Sequence, residues 1–251
     1  MSRFSDFLRR AKNTSCSVVV VAAGASTRMG EDKLFMDLAG KPVLARTLTV
    51  LNACSCVDEI VVVTRLESLE KVAALCREYR VDKVGKVVVG GASRTESALA
   101  GLVQIRRNAK YVLIHDGARP LITTEAIDYA IDVLVGDRSL DGVVCGQPAI
   151  DTLKIVDGDN IVETPPRELY WAAQTPQIFS VDAMKRAHAA AIAEGFIGTD
   201  DSSLVERMGG RVRCVQSPRD NLKVTVPEDL RPVTAILLGR MAEGEDLPHV
   251  Q

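Results

Sequence analysis

The sequence predicts a three-layer α/β sandwich: a mostly parallel, mixed sheet with helices on both faces and a protruding β-arm. Three observations predict it. Short valine-rich runs (VVVVAA at 18–23, EIVVVT at 59–64, KVVV at 86–89) cannot span a membrane and suit strands buried on both faces. Helical patterns separate them, and right-handed β-α-β connections then bring the strands side by side. Charged or glycine-rich segments follow three of the strands, at 24–33, 90–94 and 116–119, so these exit loops meet on one edge of the sheet.

In chain order, strand 17–23 runs into a small polar loop and then a helix from Lys41-Pro42 to about Asn52, with proline at its first turn. Strand 59–64 precedes a helix that Ser68 opens as N-cap. Strand 86–89 ends in Gly90-Gly91, and a third helix covers 94–106. Strand 111–115 exits through Asp116-Gly117-Ala118-Arg119-Pro120, and Thr123 or Thr124 caps a helix to about Val135. After a strand at 141–146 the rhythm breaks. Residues 151–164 read as two short strands around the turn Asp157-Gly158-Asp159-Asn160, and Pro165-Pro166 forbids a helix behind them. This arm, inserted at about 148–172, cannot bury its own apolar residues, which points to docking on a second subunit. The α/β pattern resumes at 171–179, with helices at 181–194 and at 200–208, the latter capped by Thr199 or Asp200. Strands are expected at 213–215 and 221–226, and Pro227 opens the last helix. The organisation is one domain over 16–241 between an N-terminal extension, 1–15, and a tail, 242–251.

A length of 251 residues, 47% hydrophobic and 25% charged, suits one globular domain. The net charge of −2 and the lack of a basic tract argue against a nucleic-acid groove, so an anionic ligand must be held by a few placed cations. The six cysteines (16, 54, 56, 76, 145, 214) form no C-x-x-C pair and read as buried, reduced thiols of a cytoplasmic protein. Three histidines leave little material for a Cys/His zinc site. Residues 1–15 are basic, with Phe4, Phe7 and Leu8 at helical spacing; no signal-peptide core follows, and the segment reads as a surface helix, not a membrane anchor.

The loop 24–33 is neither a P-loop, since Glu31-Asp32 follows Gly30, nor a dinucleotide fingerprint, since Ser26 stands at the second glycine position. With Arg28 and Lys33 it suits a loop that wraps a triphosphate and supplies positive charge, or else carries two solvated cations. Asp116, at a strand end, is a hard oxygen ligand of the kind Mg2+ or another divalent cation takes alongside phosphate oxygens, or a cap of the Pro120 turn. Arg119 reads equally as an ion pair or an anion clamp. Lys223, between Leu222 and Val224, is costly to bury without an anion and unremarkable on an edge. Thr152, Thr175 and Thr199 say nothing singly.

Taken together, AAGASTRMGEDK, GGASRTESA, HDGARP, DTLK, AQTPQIF and DNLKVTVPEDL resemble, in order, the 2-C-methyl-D-erythritol 4-phosphate cytidylyltransferase family over about residues 16–240. The resemblance implies a Rossmann-like fold of the nucleotidyltransferase type. It implies attack of an acceptor phosphate oxygen on the α-phosphorus of the substrate CTP. By the same likeness, Arg28, Lys33, Arg167 and Lys223 are the catalytic residues. Ala22, Ala23, Gly24, Ala25, Gly91, Ser97, Asp116 and Asp220 match the nucleotide contacts, with Asp116 the metal ligand. Arg119, Thr152, Arg167, Thr175 and Thr199 match the acceptor contacts, Thr152 and Arg167 reaching the other chain of a homodimer through the arm. The chain departs from many relatives in the short span between Arg28 and Lys33, which bears on whether Lys33 reaches the phosphates. Ribitol 5-phosphate as acceptor, and a non-catalytic nucleotide-binding role, remain the alternatives.

Overall fold

A computed structural model of the chain describes residues 15–24 and 32–243. Its centre is a seven-stranded sheet built from β1 (Cys16–Val21), β2 (Val57–Thr64), β3 (Val84–Val89), β4 (Tyr111–Asp116), β5 (Gly142–Pro148), β8 (Trp171–Ser180) and β9 (Val212–Gln216). The order across the sheet is β9-β5-β8-β4-β1-β2-β3. All neighbours are parallel except β8, which runs against both β4 and β5.

Alternation along β1 divides the core. Val18 and Val20 face one layer, packed with α1 (Val43–Ala53), α2 (Leu69–Glu78), α4 (Thr124–Gly136) and α7 (Leu230–Ala242). Val19 faces the other, with α3 (Arg94–Leu102), α5 (Val181–Glu194) and α6 (Asp201–Arg207). Leu44, Leu48 and Leu51 on α1 are fully buried, each contributing roughly 1.5–3 kcal/mol. Gly101 on α3 lies against Val19 and Val63, where a Cβ would overlap both valines, so the helix can lie this close to the sheet only without one.

Most expected elements form within a few residues of their expected bounds. Thr123 and Asp200 are the caps, accepting from Ala126 N at 3.2 Å and Ser203 N at 3.0 Å. Three expected elements need correction. Ser68 precedes α2 but makes no side-chain cap bond, because a 3-10 turn, Leu66–Ser68, leads into the helix. Helix α3 stops at Leu102, and the Arg106 amide donates to Glu59 Oε2 at 2.8 Å. Residues 221–226 form no strand but an extended strap: Asn221 Nδ2 donates to Gln174 Oε1 and the Thr175 carbonyl, and Val224 N donates to the Ala118 carbonyl. A bulge in β8 between Ala173 and Gln177 makes room for these contacts and accommodates Pro176, which has no amide to give a ladder. Of the six cysteines, Cys214 is exposed, contrary to expectation, and the other five are buried; none is paired.

The arm is the hairpin of β6 (Ile155–Asp157) and β7 (Asn160–Glu163). Gly158, at φ +56°, takes a left-handed conformation in its two-residue turn. Ile155, Val156, Ile161 and Val162 are exposed on it. The expected N-terminal helix, and the loop residues Ala25 and Arg28, fall outside the described residues. Among the described residues, no helix is long and apolar enough to cross a membrane.

His115 and His188 are buried, and burial pushes both down to about 4, with Asp116 partly opposing this at His115. Both imidazoles are therefore neutral in the fold and charge on unfolding near pH 6.5. Their contribution is fully present above that pH and lost as pH falls toward 4. Between pH 7 and pH 5 the chain should lose about 2 kcal/mol of stability per histidine. Urea unfolding at the two pH values measures this, and His188→Leu should remove about half of the drop; an unchanged drop would show that His188 does not titrate on unfolding.

Candidate active site

Strands β2 and β3 lie to one side of β1 and β4 to the other, so the strand order reverses between β1 and β4. Open α/β sheets bind ligands beyond the carboxyl ends of the strands at such a point. A cavity of about 340 Å³ lies there. Ala22, Ala23 and Gly24 line it from the end of β1, Gly91 to Arg94 and Ser97 from the end of β3 and the start of α3, and Asp116 from the end of β4. Lys33 and Lys223 complete it.

Local chemistry holds each part. The Ala22 amide donates to the Val63 carbonyl at 2.7 Å, which carries the β1 exit alongside β2. Lys33 opens a 3-10 turn that Asp32 caps and the buried Leu34 anchors, and it lines the cavity from there. Ser93 and Glu96 form a capping box that starts α3, and the Glu96 carboxylate also accepts from Ala92 N at 2.6 Å. Glu96 fills the space where a Cβ on Gly91 would go, so this loop requires glycine. The Ser97 hydroxyl donates back to the Ser93 carbonyl at 2.9 Å.

Asp116 is the electrostatic centre. Lys223 Nζ stands 2.8 Å from its Oδ2, Arg119 Nε 3.5 Å from the same oxygen, and Arg94 Nε 3.6 Å from Oδ1. Its amide donates to Thr175 Oγ1 at 3.0 Å. Burial alone would raise its carboxyl, but Lys223, Arg94 and Arg119 hold it well below the usual carboxylate range. Arg94 also pairs with Asp201 at 2.8 Å; burial pushes that carboxyl up, against the pull of Arg94. Burial, and then the nearby Lys223, push the Lys33 ammonium down. Among the described lining residues, Lys33, Arg94 and Lys223 thus face the one carboxylate of Asp116, a surplus that suits a polyanionic ligand.

The structure brings Ala22, Ala23, Gly24, Lys33, Gly91, Ser97, Asp116 and Lys223 together around one cavity. Arg119 and Thr175 stand behind Asp116 and hold it rather than lining the cavity. Asp220 departs from its expected place: its carboxylate is taken by Arg240 of α7 at 2.6 Å. Thr152 and Arg167 sit exposed with the arm, Arg167 Nη1 donating to the Ile150 carbonyl at 2.7 Å, and neither lines the cavity of its own chain. Thr199 is exposed just before the α6 cap and does not line it either. In the sequence, Arg94 ends the 90–94 exit segment and starts a helix, but no site role is read for it. The signal was its place as the first helical residue after a glycine-rich exit loop, on the edge where the loops gather. Among the described residues, the one group of three or more side chains suited to share an ion is Cys54, Cys56 and Asp128. Two thiols make it a poor Mg2+ site, because Mg2+ demands oxygen ligands.

A family model described as IspD, 2-C-methyl-D-erythritol 4-phosphate cytidylyltransferase, matches residues 16–239. The 2-C-methyl-D-erythritol 4-phosphate cytidylyltransferase of Geotalea uraniireducens is 43% identical over 230 residues, covering 88% of this chain and 96% of its own. That of Halalkalibacterium halodurans is 41% identical over 223 residues, covering 88% and 96%. The crystal structure of 4-diphosphocytidyl-2C-methyl-D-erythritol synthase from Anaerococcus prevotii superposes with a TM-score of 0.78 at 29% identity, covering 89% of this chain and 98% of that one. The sheet and its flanking helices have the Rossmann-like fold of these enzymes.

Arg94→Ala should destabilise the fold by about 3–5 kcal/mol, since it strands the Asp201 carboxylate, which is fully buried. Asp201→Asn should cost less. Urea unfolding of both variants measures this, and equal small losses would mean that the Arg94–Asp201 pair does not hold α6 in place.

Proposed function

The chain belongs to the 2-C-methyl-D-erythritol 4-phosphate cytidylyltransferase family of the non-mevalonate pathway, and on that premise we propose how its residues perform the reaction. The enzyme transfers CMP from CTP to 2-C-methyl-D-erythritol 4-phosphate, forming 4-diphosphocytidyl-2-C-methyl-D-erythritol and pyrophosphate. The observation that carries the assignment of roles is the charge of the cavity. Lys33 and Lys223 line it together, and Asp116 is the one carboxylate among its described lining residues.

An oxygen of the acceptor phosphate attacks the α-phosphorus, and pyrophosphate leaves. That oxygen is already anionic at neutral pH, so no general base is needed. The neighbouring histidine agrees with this: His115 is buried and neutral, its Nε2 facing the Arg119 carbonyl at 3.3 Å, away from any base role. The barrier is electrostatic, because two anions must meet and charge builds on the α-phosphate. Arg28, Lys33 and Lys223 neutralise that charge. Ala22 to Ala25 offer backbone to the nucleotide, and Gly91 and Ser97 border the base and ribose. Arg119 and Thr175 fix Asp116 as well as serving the acceptor side, with Thr199 nearby in sequence to the α6 cap.

Asp116 fits the role of Mg2+ ligand. It is an ionised hard oxygen donor facing the cavity, and Lys223 Nζ already places a cation on it at 2.8 Å. With CTP, Asp116 would hold Mg2+ or another divalent cation together with phosphate oxygens, and the ion would supply further neutralisation of the triphosphate.

Thr152 and Arg167 serve the partner's site in a homodimer. The exposed Ile155, Val156, Ile161 and Val162 of the arm, which the single chain leaves uncovered, support this. The six unpaired cysteines support a cytoplasmic enzyme.

Arg28→Ala should lower kcat by about 10²–10³, the scale of losing one placed charge stabiliser, with little change in KM for CTP. Pyrophosphate release with CTP and 2-C-methyl-D-erythritol 4-phosphate measures it, and near-normal turnover would remove Arg28 from the mechanism. The same assay with ribitol 5-phosphate should give far slower release. Arg167→Ala should chiefly raise KM for the acceptor, and mixing it with the Arg28→Ala chain should restore activity through hybrid dimers. Absence of any restoration would place Arg167 outside a shared site.

A further inference from the structure

At the amino-terminal edge of the sheet, opposite the nucleotide cavity, three donor atoms converge from three elements. Cys54 closes α1, its amide donating to the Val50 carbonyl at 3.2 Å. Cys56 follows in the tight turn that opens β2, and Asp128 faces both from α4. The two Sγ atoms are 3.1 Å apart, and Cys54 Sγ donates to Asp128 Oδ1 at 3.4 Å. All three donor atoms lie within 4.8 Å of one another. Both thiols are essentially buried, whereas Asp128 is only partly buried.

Buried cysteines that only fill space need no carboxylate aimed at them. We propose that Cys54, Cys56 and Asp128 form a site for one thiophilic divalent cation of the zinc class. Zn2+ takes sulfur at about 2.3 Å and carboxylate oxygen at about 2.0–2.2 Å, which puts tetrahedral ligand atoms about 3.5–3.8 Å apart. The sulfur pair, at 3.1 Å, would open to that spacing on binding. On binding, each thiol gives its proton to solvent and each sulfur forms one bond to the ion, Asp128 supplies the third bond, and water from the Asp128 side takes the fourth position. The set then carries one net negative charge. Lys83, whose Nζ donates to the Cys54 carbonyl at 2.7 Å, stands beside it as counter-charge. The hydrogen bond to Cys54, and then burial, hold the Cys56 thiol up. The other buried thiol nearby, Cys16 on β1, turns its Sγ to the Ser17 carbonyl at 3.8 Å and stays outside the set. A bound ion would tie the end of α1, the start of β2 and the middle of α4 into one unit.

The test uses the full chain carrying Cys214→Ser, which removes the exposed thiol, reduced with a phosphine and stripped with chelator. Titration with Co2+ should give a thiolate-to-cobalt charge-transfer band in the near ultraviolet that saturates at one equivalent and is displaced by Zn2+. Cys54→Ser and Cys56→Ser should each abolish it. Zn2+ should also raise the Tm of the parent protein and leave that of Asp128→Asn unmoved, a readout that stands even if the cysteine variants fold poorly. Absence of the band, its survival in the cysteine variants, or a Zn2+-induced Tm rise equal in Asp128→Asn would overturn the site.

Discussion

The contact of Asp116 with Lys223, Arg119 and Arg94 is the constraint on which the cavity edge of this fold depends. A carboxylate at the end of a buried strand loses its hydration, a cost of several kcal/mol unless charge is returned to it. Here three segments far apart in sequence return it: the loop after its own strand, the first turn of α3, and the strap at 221–226. Each must close on Asp116 for the carboxylate to remain ionised, so one charge draws the walls of the cavity together. Arg94 extends the arrangement to α6 through Asp201. Gln177 Oε1 accepts from the amides of Asp201 and Ser202, which ties the same helix start to β8.

The arrangement leaves a charge surplus facing the cavity, and that surplus is where stability and function meet. Burial, and then the charge of Lys223, push the Lys33 ammonium down. Fixed like charges facing a cavity stabilise a bound anion more than they stabilise the empty protein. The backbone around the site is correspondingly fixed. The capping box of α3, the 3-10 turn under Lys33 and the bulge of β8 each commit local hydrogen bonds, so the side chains are held before ligand arrives.

Much of this was legible in the sequence. Short valine runs suited to burial on both faces specified the strands, and glycine or charge after three of them marked the edge on which the cavity lies. Asp116 and Lys33 could be nominated because each sits at a strand exit or on a cationic loop. Lys223 was nominated for a reason that proved only half right. It was read within a strand, but it lies on a strap whose bonds run to the side chain of Gln174 and the carbonyls of Thr175 and Ala118. A strap and a strand share the same extended, alternating pattern, and only the partner of each amide distinguishes them. Asp220 was misplaced for a related reason, since its counter-ion Arg240 lies 20 positions away on a helix that nothing in DNLK foretells.

The sequence by itself determined the α/β class, the edge on which the site forms and the family, because these follow from local periodicity and from motifs written in contiguous residues. Only the tertiary structure decided which cations share Asp116, that Arg94 joins Asp116 to the buried Asp201, that β8 runs against its neighbours, and that two thiols meet a carboxylate at the far edge. Each of these is a pairing across tens of residues, set by how helices pack on the twisted sheet, and desolvated charges and donors select such partners by distance in space, which sequence spacing does not encode.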